Sequence, residues 1–272
     1  MGLSESHWAE HPHVSKGVCW SPRQNRVVEI GSLTVANACK GPPRQVTFLM
    51  TTRFGGQLAV TTTGVETLYA AERDRFAEDL AGLDDASWQT PSLCRGWTVR
   101  DLCAHLLMPY ELGFGSFIVG LAQARFNFDE FAYRWARTDR RTGAELTRLI
   151  AKTNVAGFAV PGAGELAPLA HLAIHSGDVR RPLGLAGRIS PEAGWMVLNE
   201  LTSGRHSVGD DLLRGLRFQA TDTDWSLGGG PEVSGDVATL LSALNRRRTA
   251  AADLAGAGAD EFRSRLGRVS GR

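Results

Sequence analysis

Hydrophobic residues recur at helical spacing from about residue 64 onward. In the segment 64–83, Leu68, Phe76 and Leu80 follow this period with charged residues between them, which predicts an amphipathic helix. A second helix is predicted to begin at Thr98, because Thr98 and Asp101 form a capping-box-like start. Its apolar positions, which we expect to face the core, are Val99, Leu102, Leu106 and Leu107.

Three more helical segments follow. The first is predicted at 129–155, with a break near Thr142 and Gly143. The second, at 167–181, is ended by Pro182 and Gly184. The third, at 190–207, begins with Ser190 and Pro191. Four or five helices with short connections predict an antiparallel bundle over residues 61–212.

Beyond Gly215 the pattern becomes mixed. Leu216, Phe218 and Ala220 alternate with polar residues, and turn residues surround strand candidates at 224–227 and 232–233. Amphipathic helices are predicted at 235–246 and 258–267. The sequence therefore predicts a small α+β C-terminal domain over residues 213–272 and a mainly α protein as a whole.

Residues 1–60 have neither a helical nor a strand period. They mix Pro, Gly, Ser and Thr with single hydrophobic residues, so we expect a disordered tail, or an upstream extension of a chain whose natural start lies nearer Met50. This segment also contains His7, His11 and His13, which resemble a metal-binding tract, but in an unstructured tail we do not expect them to act as functional ligands.

The overall composition predicts a folded, cytoplasmic protein. Hydrophobic residues make up 43% of the chain, and 30 basic residues balance 29 acidic ones, which argues against a nucleic-acid or anionic-membrane partner. No apolar run is long enough to span a bilayer. The four cysteines are Cys19, Cys39, Cys94 and Cys103, too irregularly spaced for a disulfide framework, and Cys94 and Cys103 are expected to be packed thiols.

Two histidines stand four residues apart in the predicted helix 167–181. His171 and His175 therefore share one helix face and are able to bind one metal ion, while Asp178 lies where it can accept a hydrogen bond from His175. The alternative is a chance pair on an exposed face. His105 favours the metal, because it lies near the buried side of the earlier helix. Imidazole ligands fit zinc best, although nickel, copper or iron also accept them.

Two stretches and the C-terminal run together resemble a known family. They are Trp88, Thr90, Pro91, Cys94, Gly96, Trp97, Thr98, Val99, Arg100, Asp101, Leu102, His105 and Leu106, then His175, Asp178, Val179, Arg180, Arg181, Pro182, Leu183 and Gly184, and finally Ala220, Thr221, Asp222, Asp224, Trp225, Gly230, Pro231, Val233 and Gly235. This pattern resembles the mycothiol-dependent maleylpyruvate isomerase family, whose fold is a DinB-like antiparallel four-helix bundle followed by a small C-terminal domain.

The resemblance implies a divalent metal and mycothiol as cofactors, with His105, His171 and His175 as metal ligands. Asp178 would accept a hydrogen bond from the ring nitrogen of His175 that does not bind the metal. In the isomerase branch a glutamate occupies the position of His171, so this chain has the three-histidine pattern of other DinB-like bundles. Three neutral imidazoles leave the ion its full charge, which favours a bound thiolate. Arg180 and Arg181 would hold a carboxylate of cofactor or substrate, or else cap a helix end in solvent.

Three functions follow from such a site. The first is isomerase or S-transferase chemistry on a small electrophilic substrate, in a pocket with walls that include Phe114, Phe117 and Trp135. The second is a metal-binding or regulatory bundle without catalysis, and the third is a metal-dependent hydrolase. The run Arg246, Arg247 and Arg248 is expected to be a solvated helix end.

Overall fold

The computed structural model describes residues 16–19, 28–31, 62–160, 162–185, 189–203 and 208–269. Its elements, in chain order, are β1 (Lys16–Cys19), β2 (Val28–Gly31), α1 (Thr62–Ala81), α2 (Asp85–Trp88), α3 (Val99–Glu111), α4 (Phe114–Gln123), α5 (Phe128–Thr138), α6 (Gly143–Ile150), α7 (Ala167–Arg180), α8 (Pro191–Ser203), α9 (Asp210–Leu213), β3 (Arg217–Ala220), β4 (Ser226–Gly228), β5 (Glu232–Gly235), α10 (Val237–Leu244), α11 (Arg248–Ala251) and α12 (Ala259–Val269). Among these helices, none has both the length and the apolar composition needed to cross a bilayer.

The chain divides into two compact units, residues 1–57 and 58–272. In the first, β1 and β2 pair as antiparallel strands, with Lys16 opposite Gly31. The rest of that unit, including His7, His11 and His13, lies outside the described residues. The tail at 1–60 therefore stays a prediction.

The helix α3 lies at the centre of the second unit and packs against α5, α6 and α7. The predicted capping box is confirmed: the Asp101 carboxylate accepts from the backbone N–H of Thr98 at 3.0 Å, and the Thr98 hydroxyl accepts from the Asp101 N–H at 3.2 Å. The four apolar positions expected to face the core, Val99, Leu102, Leu106 and Leu107, are all buried. This cap and this packing fix the rotation of α3, and with it the direction of His105.

The C-terminal region forms a three-stranded sheet with the order β4-β3-β5. The strand β3 pairs antiparallel with β4 and parallel with β5, with Phe218 opposite Leu227 and Val233. The helix α10 leaves this sheet and packs against α7 and α8. The mainly helical bundle with a small C-terminal α+β region is confirmed, whereas the division at residue 213 stays a prediction.

The sequence did not predict α4, nor the four-residue helices α2, α9 and α11. The helix α4 has no buried residue, and Phe114, Ile118 and Val119 on it are among the exposed large hydrophobic residues. Its sequence, FGSFIVGLAQ, has no charged residue, so it lacks the charged face that helps to mark an amphipathic helix in a sequence.

Candidate metal centre

Three histidines from two facing helices meet at one point. His105 lies on α3, and His171 and His175 lie one turn apart on α7. Their ring centroids are 5.1 Å apart for His105 and His171, 5.2 Å for His105 and His175, and 5.0 Å for His171 and His175. One ligand nitrogen from each ring lies within 4.8 Å of the others. The arrangement is therefore close enough for all three rings to serve one ion.

The cluster is enclosed on its inner side and partly open at α7. His105 is buried, with an exposure of 7%, and His175 has a side-chain exposure of 18%. Trp97 packs edge-on against His105 at 5.0 Å, and Phe158 packs against His171 at 5.7 Å. The Nδ1 of His105 is buried and has no hydrogen-bond partner among the described residues. These aromatic neighbours limit the directions from which a ligand reaches the nitrogens.

Burial keeps two of these imidazoles neutral. Burial, followed by the nearby His175, lowers the pKa of His105 to about 3. The same two causes, together with His105 itself, hold the pKa of His171 well below its ordinary value. Neutral imidazoles have a nitrogen lone pair available for a metal, and this is the form that zinc binds.

These shifts predict that the metal-free protein loses stability in acid. Below about pH 6.5 the unfolded chain binds a proton on each of these two histidines. In the folded chain His105 stays neutral down to about pH 3, and the pKa of His171 also lies well below its ordinary value, so the free energy of unfolding should fall as the pH is lowered. Each histidine contributes a slope of up to about 1.4 kcal/mol per pH unit. Urea unfolding of metal-free protein at several pH values from 7 to 5 measures the slope. His105→Gln should make it shallower, and an unchanged slope would contradict the assignment.

Asp178 holds the outer ring in place. Its Oδ2 accepts a hydrogen bond from His175 Nδ1 at 3.0 Å, as predicted from the sequence spacing. A histidine that donates from Nδ1 presents an unprotonated Nε2. The contact therefore fixes the tautomer in which His175 is able to bind a metal through Nε2.

Arg247 reaches the same carboxylate from the C-terminal region. Its Nε donates to Oδ1 of Asp178 at 2.7 Å, and its Nη2 donates to Oδ2 at 2.7 Å. Burial acts to raise the pKa of Asp178, but the hydrogen bonds from Arg247 and His175 outweigh it and lower that pKa to about 2. The prediction that Arg247 lies in a solvated helix end is wrong. After α10 the backbone takes a left-handed conformation at Arg246, whose φ is 65°. Arg247 then contacts Asp178 on α7.

Cys94 also belongs to this network. Its thiol donates to Asp178 Oδ2 at 3.3 Å and accepts from Arg247 Nη2 at 3.2 Å. Burial and the Asp178 charge raise the pKa of Cys94 to about 12, although Arg247 opposes them, so the group is a thiol at neutral pH. Cys94, His175 and Asp178 also have ligand atoms within 4.8 Å of one another, but the Arg247 guanidinium contacts two of the three, so its charge opposes a second metal there.

One stretch of the chain, which includes His105, matches a known family model. Residues 69–156 match the family model described as the mycothiol maleylpyruvate isomerase N-terminal domain. The match covers about a third of the chain. The resemblance inferred from the sequence is confirmed, and His105 lies within the matched range. No curated protein matches the chain.

Two solved structures are similar to this chain. They are the crystal structures of the mycothiol-dependent maleylpyruvate isomerase and of its mutant in which one histidine is replaced by alanine. Each is 16% identical, and each alignment covers 69% of this chain and 90% of the other. The TM-scores are 0.41 for the isomerase and 0.43 for the mutant. His171, His175 and Arg247 lie beyond the isomerase N-terminal domain match, so their place in the site rests on the geometry of this chain.

The arginines expected to hold a cofactor carboxylate have other contacts. Arg180 is 2% exposed, and its Nε donates to Asp79 at 2.6 Å while its guanidinium lies over the ring of Phe76. Arg181 forms an ion pair with Asp253. None of these contacts involves the three histidines, and the cofactor role of Arg180 and Arg181 stays a prediction.

The residues expected to line the pocket lie on α4 and α5. Phe114 is 67% exposed, and Phe117 packs edge-on against Phe131 at 5.9 Å. Trp135 lines a cavity of about 560 Å³, and its buried Nε1 has no partner among the described residues. Their role as walls of the isomerase-family pocket stays a prediction.

Sequence reasoning missed Arg247 and the part that Cys94 plays beside it. A run of three arginines is typical of an exposed helix end, and Arg246 and Arg248 are indeed exposed. No local pattern distinguishes the middle arginine. Only its approach to Asp178, 69 residues earlier in the chain, does so.

Proposed function

We propose that this protein is a metal-dependent enzyme that activates a low-molecular-weight thiol, mycothiol, for isomerase or S-transferase chemistry. The observation that carries the proposal is the meeting of His105, His171 and His175, with one ligand nitrogen from each within 4.8 Å of the others. The isomerase N-terminal domain, which contains His105, supports the choice of mycothiol.

The donor set fits a zinc ion. Nε2 of His105 and Nε2 of His171 are 3.2 Å apart. Two nitrogens bound to zinc at about 2.0–2.1 Å in tetrahedral geometry lie about 3.3–3.4 Å from each other. The two rings therefore already have nearly the separation of two ligands of one ion. Three histidine ligands leave a fourth position for a thiol or substrate, as in catalytic zinc sites.

Each protein group has a stated part in this proposal. When bound, a divalent ion supplies a positive charge that lowers the pKa of a thiol in the open position and so favours the thiolate at neutral pH. His105 and His171 offer neutral nitrogens because burial lowers their pKa values. Asp178 fixes the tautomer of His175. Trp97 and Phe158 restrict access to the inner side of the cluster.

A thiolate held there is a nucleophile, which suits a small substrate with an electrophilic double bond or a leaving group. Addition to a double bond followed by rotation and elimination gives isomerisation, whereas displacement of a leaving group gives S-transfer. We also propose a cytoplasmic location, which agrees with the free thiols of Cys94 and Cys103, since thiols stay reduced in that compartment.

Calorimetric titration with mycothiol tests this function. Zinc-loaded protein should bind mycothiol at least tenfold more tightly than metal-free protein, because the sulfur contact requires the ion. S-methyl mycothiol is the matched control: it keeps the sugar and acyl groups but offers no thiolate, so it should bind the two forms equally.

Equal mycothiol binding with and without zinc would contradict the thiol mechanism. It would favour the non-catalytic metal-binding bundle or the hydrolase instead. If binding depends on zinc, a panel of electrophiles assayed for thiol conjugates and for isomerised products then separates S-transferase from isomerase chemistry.

A further inference from the structure

We propose that Arg247 is a positioning residue for the histidine cluster. It fixes the carboxylate of Asp178, and Asp178 in turn holds His175 with Nε2 free for a metal. This inference rests on the proposed metal site and deepens it, because it makes that site depend on a residue from the C-terminal region, beyond the matched family domain.

Burial of the charged Asp178 side chain has a free-energy cost. Its side chain has 0% exposure, so its charge is removed from water. A buried carboxylate is stable only when charged or polar donors surround it. Arg247 supplies two of the donors, one to each carboxylate oxygen, and it is the cation that forms an ion pair with Asp178 among the described residues.

Arg247 also sets the orientation of the Asp178 carboxylate. A guanidinium that donates two parallel hydrogen bonds fixes the plane of a carboxylate, which a single contact does not. With Oδ1 held by Nε and Oδ2 held by Nη2, the carboxylate presents Oδ2 to His175 Nδ1 at 3.0 Å. The direction of the imidazole on α7 thus follows from the position of Arg247.

Further hydrogen bonds hold Arg247 itself in place. Its Nη1 donates to the backbone oxygen of Asn245 at 3.2 Å, and its Nη2 donates to Cys94 as well as to Asp178. Cys94 donates back to Asp178, which closes a triangle of three side chains. These contacts therefore fix the position of Arg247 against Asp178.

Zinc affinity of designed variants tests this role. Arg247→Gln removes the charge and the two-point contact, and Arg247→Lys keeps the charge but has no planar fork. Arg246→Gln is the matched control, because Arg246 is the neighbouring arginine, is exposed, and has no contact with Asp178. Zinc dissociation constants come from competition with a chelator, and the unfolding free energy of each metal-free variant is measured in urea.

Substitutions of residues that orient metal ligands typically weaken metal binding by about 10- to 100-fold. We expect that range for Arg247→Gln, a smaller loss for Arg247→Lys, and a change of less than about twofold for Arg246→Gln. The visible spectrum of the cobalt-substituted Arg247 variants should also differ from that of the wild type, because the spectrum reports ligand geometry. A residue that only stabilises the fold would leave both the dissociation constant and the spectrum unchanged.

Three results would overturn the inference. They are wild-type zinc affinity in Arg247→Gln, a loss of stability with an unchanged cobalt spectrum, and an equal loss of affinity in Arg246→Gln, which would indicate a general charge effect. If Arg247→Gln does not fold, Arg247→Lys decides by the same criteria. A wild-type protein that binds no zinc would overturn the proposed function as well, so the two failures are distinguishable.

Discussion

Replacing His171 with alanine should weaken zinc binding by about 10³-fold. Apparent free energies of zinc binding in small structural sites are about 10–16 kcal/mol, so the share of one ligand in three is about 4 kcal/mol. His171 is central to the cluster, because its Nε2 is the nitrogen that lies 3.2 Å from Nε2 of His105. Chelator competition gives the dissociation constant, and elemental analysis gives the zinc content per chain.

Two further variants make this experiment specific. The histidines His7, His11 and His13 are able to bind metal themselves, so all proteins compared should have these three replaced by alanine. His171→Glu restores a ligand of another type and should recover much of the affinity that His171→Ala loses, whereas a nonligand position would gain nothing from a carboxylate. Zinc affinity that is equal in wild type and His171→Ala would end the proposal of a metal centre.

Replacing Arg180 with glutamine should lower the free energy of unfolding by about 3–5 kcal/mol, which is typical for breaking one side of a buried ion pair. Arg180 is 2% exposed, and the side chain of its partner Asp79 is only 8% exposed. The substitution removes the guanidinium from that carboxylate and also from the face of Phe76. Urea unfolding of metal-free protein measures the loss.

Arg181→Gln is the control, because it makes the same chemical change one residue later. Its partner Asp253 has a side-chain exposure of 64%, so the loss should stay below about 1 kcal/mol. Equal losses for the two variants would contradict the assignment of Arg180 to the core. The same pair tests the predicted cofactor role: if Arg181 holds a carboxylate of mycothiol or substrate, Arg181→Gln weakens ligand binding without a change in stability.

The elements that the sequence predicted are those with strong local signals. The helix α7 begins at Ala167 and ends at Arg180, close to the predicted 167–181, because Pro182 follows and Gly184 takes a φ of 66°. The meeting of His105 with the α7 pair was predicted from buried faces of two helices. In the structure the three rings lie close together, as expected. For His171 and His175, helical spacing alone is enough to put both rings on one side of α7.

The features that the sequence did not reveal depend on contacts between distant segments. The parallel pairing of β3 with β5 is one, because alternation indicates a strand but not its partner. The approach of Arg247 to Asp178 is another. Arg180 is a third, because the residues that it contacts, Asp79 and Phe76, belong to the distant helix α1.

The long sequence separation between Asp178 and Arg247 has a consequence during synthesis on the ribosome. The ribosome adds Arg247 69 residues after Asp178, so all three histidines leave the exit tunnel ahead of it. Until then the Asp178 carboxylate lacks the two hydrogen bonds that Arg247 donates. The network that orients His175 is therefore completed only after Arg247 has been added to the nascent chain.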